Sequence, residues 1–189
     1  MRIVAGKHRG RALAAPKGRD TRPTAARARE GLFNILAHAG LAADGGSALA
    51  GAIVLDAFSG TGAFAFEALS RGAASATLID RDRAALAAAQ ANAEALKESA
   101  NVAILGRDAT KPGRADRPHT LVFLDPPYGK GLAETAMAAL AAGGWIAAGA
   151  LVIAEIGAKE SLAPPAGFDA LDERIYGAAK FAMMRWGES

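Results

Sequence analysis

The 189 residues include no cysteine, which excludes disulfides, thiolate metal sites and cysteine nucleophiles, and three scattered histidines do not make a zinc or Cys/His centre. The apolar runs fall short of a bilayer span and no charged-then-apolar leader opens the chain, so a soluble, cytoplasmic protein with one sizeable core is expected. The net charge of +3 hides a split: residues 1–30 carry nine Lys or Arg against Asp20 and Glu30, whereas the remainder holds 13 basic and 17 acidic side chains. A basic arm on a mildly acidic body is the footprint of phosphate-backbone binding.

In chain order, residues 2–5 and 11–14 read as short strands around a Gly-bounded turn, a small hairpin. Within it, Gly6-Lys-His-Arg-Gly-Arg11 combines cations with glycines that let the backbone lie close to a nucleic-acid strand. Thr24 is placed to cap a helix from about Ala25 to His38, with Ala28, Leu32, Ile35 and Leu36 on one face. The stretch Ala42-Ala-Asp-Gly-Gly-Ser47 reads as a linker, dividing the chain into an arm (1–46) and a body (47–189).

From residue 52 apolar runs alternate with helical patterns. Strands are expected at Ile53–Phe58, Ala76–Asp80, Val102–Gly106, Thr120–Asp125 and Leu151–Ile156, and helices near Ala63–Arg71, Arg83–Glu98 and Leu132–Ala142. That order predicts a doubly wound α/β domain with a mostly parallel sheet. Phe168–Tyr176 and Lys180–Trp186, split by Gly177-Ala-Ala, predict a closing antiparallel hairpin in place of another strand–helix–strand unit.

Two segments carry chemistry. The first strand-to-helix switch reads Asp56-Ala-Phe-Ser-Gly-Thr-Gly62, a turn that lets a ligand approach the backbone at a helix N-terminus. Gly60-Thr-Gly-Ala-Phe-Ala65 also fits a dinucleotide fingerprint. Yet Asp56 is better placed for a cationic amino-acid moiety than for a pyrophosphate, and Phe58 is bulkier than a pyrophosphate cradle needs. Asp80 ends the second strand 18 residues after Gly62, where it can accept from ribose hydroxyls. Asp108, after the third strand, can accept from an adenine amino group, and Asp82 reads as a helix cap. The second segment, Asp125-Pro-Pro-Tyr128, follows an apolar strand. Its prolines rigidify the loop and remove two donors, and Tyr128 offers a face for stacking, so a flat amino-bearing base fits there. His38 and His119 read as helix-end and strand-start residues, and Trp145, Met183, Met184 and Trp186 as packing.

With those placements the chain resembles class I S-adenosylmethionine-dependent methyltransferases, and most of all the bacterial small-subunit ribosomal RNA guanine-N2 methyltransferase family. The resemblance is carried by Arg22-Pro-Thr-Ala-Ala-Arg-Ala-Arg-Glu-Gly-Leu-Phe-Asn34, Asp56–Gly62, Glu67-Ala-Leu-Ser-Arg-Gly72 and Asp125–Tyr128. It implies a Rossmann-like fold with a small N-terminal hairpin-helix extension. It implies S-adenosylmethionine held by Asp56, Phe58, Ser59, Gly60, Thr61, Gly62, Asp80, Arg81, Asp108 and Ala109, and catalysis at Asp125, Pro126, Pro127 and Tyr128. Lys7, Arg9, Arg11, Arg22, Arg27 and Arg29 would meet RNA, and no metal is required. The partner implied is a guanine of 16S ribosomal RNA within the 30S particle, met by a monomer. Asp80 departs from the glutamate of many relatives, although either acid can bind a ribose diol. The alternatives are a DNA adenine-N6 or cytosine-N4 methyltransferase, an NAD-dependent oxidoreductase and a non-catalytic RNA chaperone. The first lacks an evident target-recognition segment, and the second leaves Asp125–Tyr128 without a purpose.

Overall fold

The computed structural model describes residues 1–15, 23–42 and 45–187, so Arg22 lies outside the described residues. Five strands, β1 (Ile53–Ala57), β2 (Ser75–Asp80), β3 (Val102–Gly106), β4 (His119–Leu124) and β5 (Ile146–Gly157), run parallel. Two more, β6 (Phe168–Tyr176) and β7 (Ala179–Trp186), form the antiparallel hairpin. Strand β7 inserts between β5 and β6, giving the order β3-β2-β1-β4-β5-β7-β6. The helices are α1 (Pro23–His38), α2 (Ala63–Ser70), α3 (Arg83–Leu96) and α4 (Leu132–Ala142). From α1 onward each predicted element is present with ends shifted by a few residues. The largest shift is β5, whose early start at Ile146 is accommodated by a register irregularity between His119 and Leu121.

Both faces of the sheet are covered, which is why its strands read as continuous apolar runs. Val54, Leu78, Leu121, Phe123, Leu151 and Ile153 pack on the face of α1, α2 and α3. Their neighbours Leu55, Ile79, Val122, Leu124, Val152 and Ala154 pack on the face of α4. Ala85, Ala89 and Ala93 form the buried stripe of α3, so the alanine bias lets that helix approach the sheet closely. On α1, Phe33 stacks among Phe64 and Phe123 at centroid distances of 6.2 and 5.5 Å, which fixes the helix to the body. This helix starts at Pro23, so Thr24 lies in its first turn and not at its cap. Proline suits that position because its fixed φ matches a helix and its missing N–H has no partner to lose.

The N-terminal hairpin is reduced to one antiparallel bridge, Arg2 to Ala12, flanked by turn hydrogen bonds. Side chains of the body supply the bonds that a longer ladder would have made. Buried Glu67 accepts from the backbone N–H of Val4 and Ala5 at 2.8 and 3.1 Å and from Arg71 Nε at 2.7 Å. Ser70 accepts from the N–H of Lys7 and His8, and Asn92 bonds both backbone groups of Ala14. Gly6 is obligatory here: φ is +80° and a Cβ would meet the Ser70 carbonyl oxygen at 1.8 Å. Ile3 and Leu13 consequently share the core with Leu32 and Phe66.

Glu98 clamps the turn of this segment, pairing with His8 Nε2 at 2.5 Å and Lys7 Nζ at 2.6 Å and accepting from Asn101. Burial raises its pKa, but the bonds from His8, Lys7 and Asn101 outweigh that and hold it down at about 2 against an ordinary 4.5. A depressed carboxyl stabilises the fold above its unfolded pKa, and that contribution is lost as pH falls through the folded one. Denaturant unfolding is therefore expected to show stability declining between about pH 4.5 and about pH 2. The Glu98→Gln variant should show a shallower decline over the same window.

Candidate active site

A cleft of about 750 Å³ opens at the carboxyl ends of the parallel strands. It lies where the strand order reverses at β1 and β4, the position at which ligands bind in open α/β sheets. Every parallel strand delivers an acid to it: Asp56 from β1, Asp80 from β2 with Asp82 just past it, Asp108 just past β3, Asp125 just past β4 and Glu155 near the end of β5. Asp56, Asp80, Asp108 and Asp125 were expected here, and Asp82 as a helix cap. Glu155 was not, although an acid inside the apolar run Leu151–Ile156 was a readable signal.

The β1–α2 turn is shaped to receive a ligand at its backbone. Phe58 adopts φ +62°, uncommon for a bulky residue, and Gly60 and Gly62 also have positive φ. Gly62 stands at the N-cap of α2 with no side-chain cap. In its place the Asp56 carboxylate reaches in, Oδ2 accepting from the Ala65 N–H at 3.0 Å. Asp56 is almost fully buried, and burial first, then the nearby Asp125 and Asp80, raise its pKa well above the carboxylate range. Its Oδ1 and the buried hydroxyl of Ser59 have no hydrogen-bond partner among the described residues. A buried acid with one unsatisfied oxygen, among other acids, has the chemistry to accept from a cationic donor.

Asp80 is held by two backbone donors, Gly60 N–H at 2.8 Å on Oδ2 and Asp82 N–H at 2.9 Å on Oδ1. Its orientation at the strand end is therefore fixed, and each oxygen retains acceptor capacity. Asp82 caps α3 through the Ala84 N–H, as its position suggested. Asp108 Oδ1 accepts from both the hydroxyl and the N–H of Thr110, and these bonds lower its pKa. Arg81 and Ala109 complete that side of the wall, and Thr61 turns its backbone carbonyl to Asn92 of α3.

On the opposite side Asp125 leaves β4 with its N–H on the Ala57 carbonyl. Asp125, Pro127 and Tyr128 are exposed, whereas Pro126 is buried beneath them. The Tyr128 hydroxyl donates to Glu155 Oε1 at 2.7 Å, which anchors a ring that is otherwise 44% exposed. Desolvation, then that bond, pushes the phenol pKa up, so it acts as a donor and not as a phenolate.

The basic arm borders this cleft through Met1, Ala15 and Arg29. Lys7, Arg9, Arg11 and Arg27 are exposed, with Lys7 paired to Glu98 and Arg11 bonded to the Ala95 carbonyl. Arg29 corrects the sequence reading. It is buried, bonding the Arg2 carbonyl at 2.9 Å and the Met1 sulfur, because α1 turns this position toward the sheet. Burial lowers its pKa, while Glu67 and Glu155 raise it. Arg29 is thus a cleft-wall residue and not an outward-facing phosphate contact. His119 is buried between the Trp145 carbonyl and Thr77, a structural role as expected.

The family described as Conserved hypothetical protein 95 matches residues 1–185. The chain is 36% identical to ribosomal RNA small subunit methyltransferase D of Escherichia coli K12, over 97% of this chain and 88% of that protein. It is 32% identical to the Haemophilus influenzae protein of the same name, over 97% and 92%. A solved structure of Escherichia coli yhhF superposes with a TM-score of 0.85 at 36% identity, covering 100% of this chain and 99% of that one. Sheet order, the turn after β1, the loop after β4 and these similarities agree, and the chain belongs to the Conserved hypothetical protein 95 family, which is the family of the ribosomal RNA small subunit methyltransferase D proteins.

Proposed function

We propose that this protein transfers a methyl group from S-adenosylmethionine to the exocyclic N2 amine of a guanine in 16S ribosomal RNA, acting as a cytoplasmic monomer on the 30S particle. The observation that carries this reading is the division of the cleft: the unsatisfied Asp56 and the preoriented Asp80 and Asp108 on the β1–β3 side, and the Asp125–Tyr128 loop just past β4 on the other. Asp56 and the backbone of Ser59–Gly62 would hold the amino-acid moiety, Asp80 the ribose and Asp108 the adenine. When bound, this donor supplies an electrophilic methyl on a sulfonium, so no metal or covalent intermediate is needed.

The protein's own contribution is placement. An exocyclic amine is a poor nucleophile because its lone pair is delocalised into the ring. The Asp125 carboxylate and the Pro126 carbonyl accept its two hydrogens and favour a pyramidal nitrogen, a positioning and electrostatic effect. The two prolines keep competing donors out of the loop. Bringing the base out of its stack costs a few kcal/mol, and stacking on Tyr128 returns about 1–3 kcal/mol.

Incubation of unmethylated 30S particles and of duplex DNA with radiolabelled donor, followed by nucleoside analysis, tests the reading. N2-methylguanosine from the particles is the expected product, and label only in DNA would overturn it. The arm is tested separately. Replacing Arg9, Arg11 and Arg22 by glutamine should weaken RNA binding and reduce the slope of log K against log salt by about 2, since each lost single-strand phosphate contact removes about 0.7. Filter binding between low and physiological salt reads this slope, and an unchanged value would remove the arm from the interface.

A further inference from the structure

Glu155 lies one residue past Ala154, which pairs with Leu124, so it stands level with Asp125 on the neighbouring strand. Leu151 and Ile153 pack on the face of α1–α3, and Glu155 continues that alternation toward the same side. Tyr128 donates to its Oε1 at 2.7 Å, and Glu155, Asp125, Pro126 and Arg29 all border the same cleft. Burial raises the Glu155 pKa, while Tyr128 and the charge of Arg29 lower it.

We propose that Glu155 selects guanine at the target position, accepting the ring N1–H while Asp125 and the Pro126 carbonyl take the adjacent amine. The proposal rests on the reading of the cleft as an amine-methylating site and adds the choice of base. The Asp-Pro-Pro-Tyr loop alone grips any exocyclic amine. What differs between bases is the ring atom next to that amine. In guanine it is N1, which carries a hydrogen. In adenine and cytosine it is a nitrogen lone pair. A carboxylate beside the amine-binding loop therefore gains a charge-assisted hydrogen bond with guanine and meets a lone pair with the other two. A site built to bond a hydrogen strongly rejects analogues that lack it, because its buried acceptor is then left unpaired. Tyr128 sets the orientation of the carboxylate and leaves it acceptor capacity for a second donor.

The test compares wild type with Glu155→Gln on 30S particles reconstituted with guanine or 2-aminopurine at the mapped methylation site. 2-Aminopurine retains the amine but carries a lone pair at N1. Wild type is expected to prefer guanine in kcat/KM by at least about 10²-fold. Glutamine, whose amide can donate to N1, is expected to lower kcat/KM on guanine and shrink that preference about tenfold or more, with unchanged S-adenosylmethionine binding by calorimetry. A purely structural role would lower both substrates together, so an unchanged preference would overturn the assignment while leaving the methyltransferase reading intact. Absence of N2-methylguanosine from the wild-type reaction would instead overturn both.

Discussion

Asp125→Ala is expected to lower kcat by about 10²–10³-fold or more, the usual effect of deleting one preorganised polar contact to the reacting group. Binding of S-adenosylmethionine, measured by calorimetry, should change little, because the residues proposed to hold it sit on β1, β2 and the segment after β3. Asp125 does raise the pKa of Asp56, so its removal slightly weakens the field that attracts a cation there. The fold should persist, since Asp125 is exposed at the mouth of the cleft and its backbone bond to Ala57 is retained. Asp125→Asn keeps one acceptor oxygen and is expected to fall between alanine and wild type. Near-normal turnover in the alanine variant would remove Asp125 from the mechanism.

The largest expected effect on stability comes from Glu67→Ala. This carboxylate is 1% exposed and serves three donors: the N–H groups of Val4 and Ala5, and Arg71. Its loss orphans two backbone donors and leaves a largely buried guanidinium without its ion pair. Breaking a buried pair from one side costs about 3–5 kcal/mol. For a chain of this length each kcal/mol lowers Tm by about 2–4 °C, so a fall of roughly 6–20 °C is expected in a thermal melt. The N-terminal segment should also become sensitive to proteolysis, because Glu67 is one of the groups that tie it to the body. As Met1 and Ala15 border the cleft, RNA affinity should fall with it. Glu67→Gln keeps an acceptor for one N–H and should recover part of the loss.

The arm shows how far sequence reasoning reached. Its charge was legible, since nine basic residues against two acidic need no structure to be noticed. Its docking was not. Glu67 and Asn92 lie 62 or more residues away from the backbone groups of the arm that they satisfy, and no local pattern announces such a pairing. Arg29 was misplaced for a related reason: helical periodicity allowed several faces for α1, and only packing against the sheet selected the one that buries this guanidinium.

The acid ladder divides in the same way. Asp80, Asp108 and Asp125 were legible because each stands at or just past the carboxyl end of an apolar run, where α/β sheets bind ligands, and Asp56 because a glycine turn follows it. Glu155 carries the same signature but sits one residue inside its run, and only the register of β5 against β4 places it level with Asp125.

The alternation of apolar runs with helical patterns was enough to determine the doubly wound domain, its antiparallel closing hairpin and the chemical character of two loops. Those properties depend on side-chain periodicity and turn residues, which act over a few positions. Strand order, the convergence of acids from all five parallel strands on one cleft and the burial of Arg29 were decided by the tertiary structure. They depend on pairing between segments far apart in the chain, where many local solutions are equivalent until the shared core selects one.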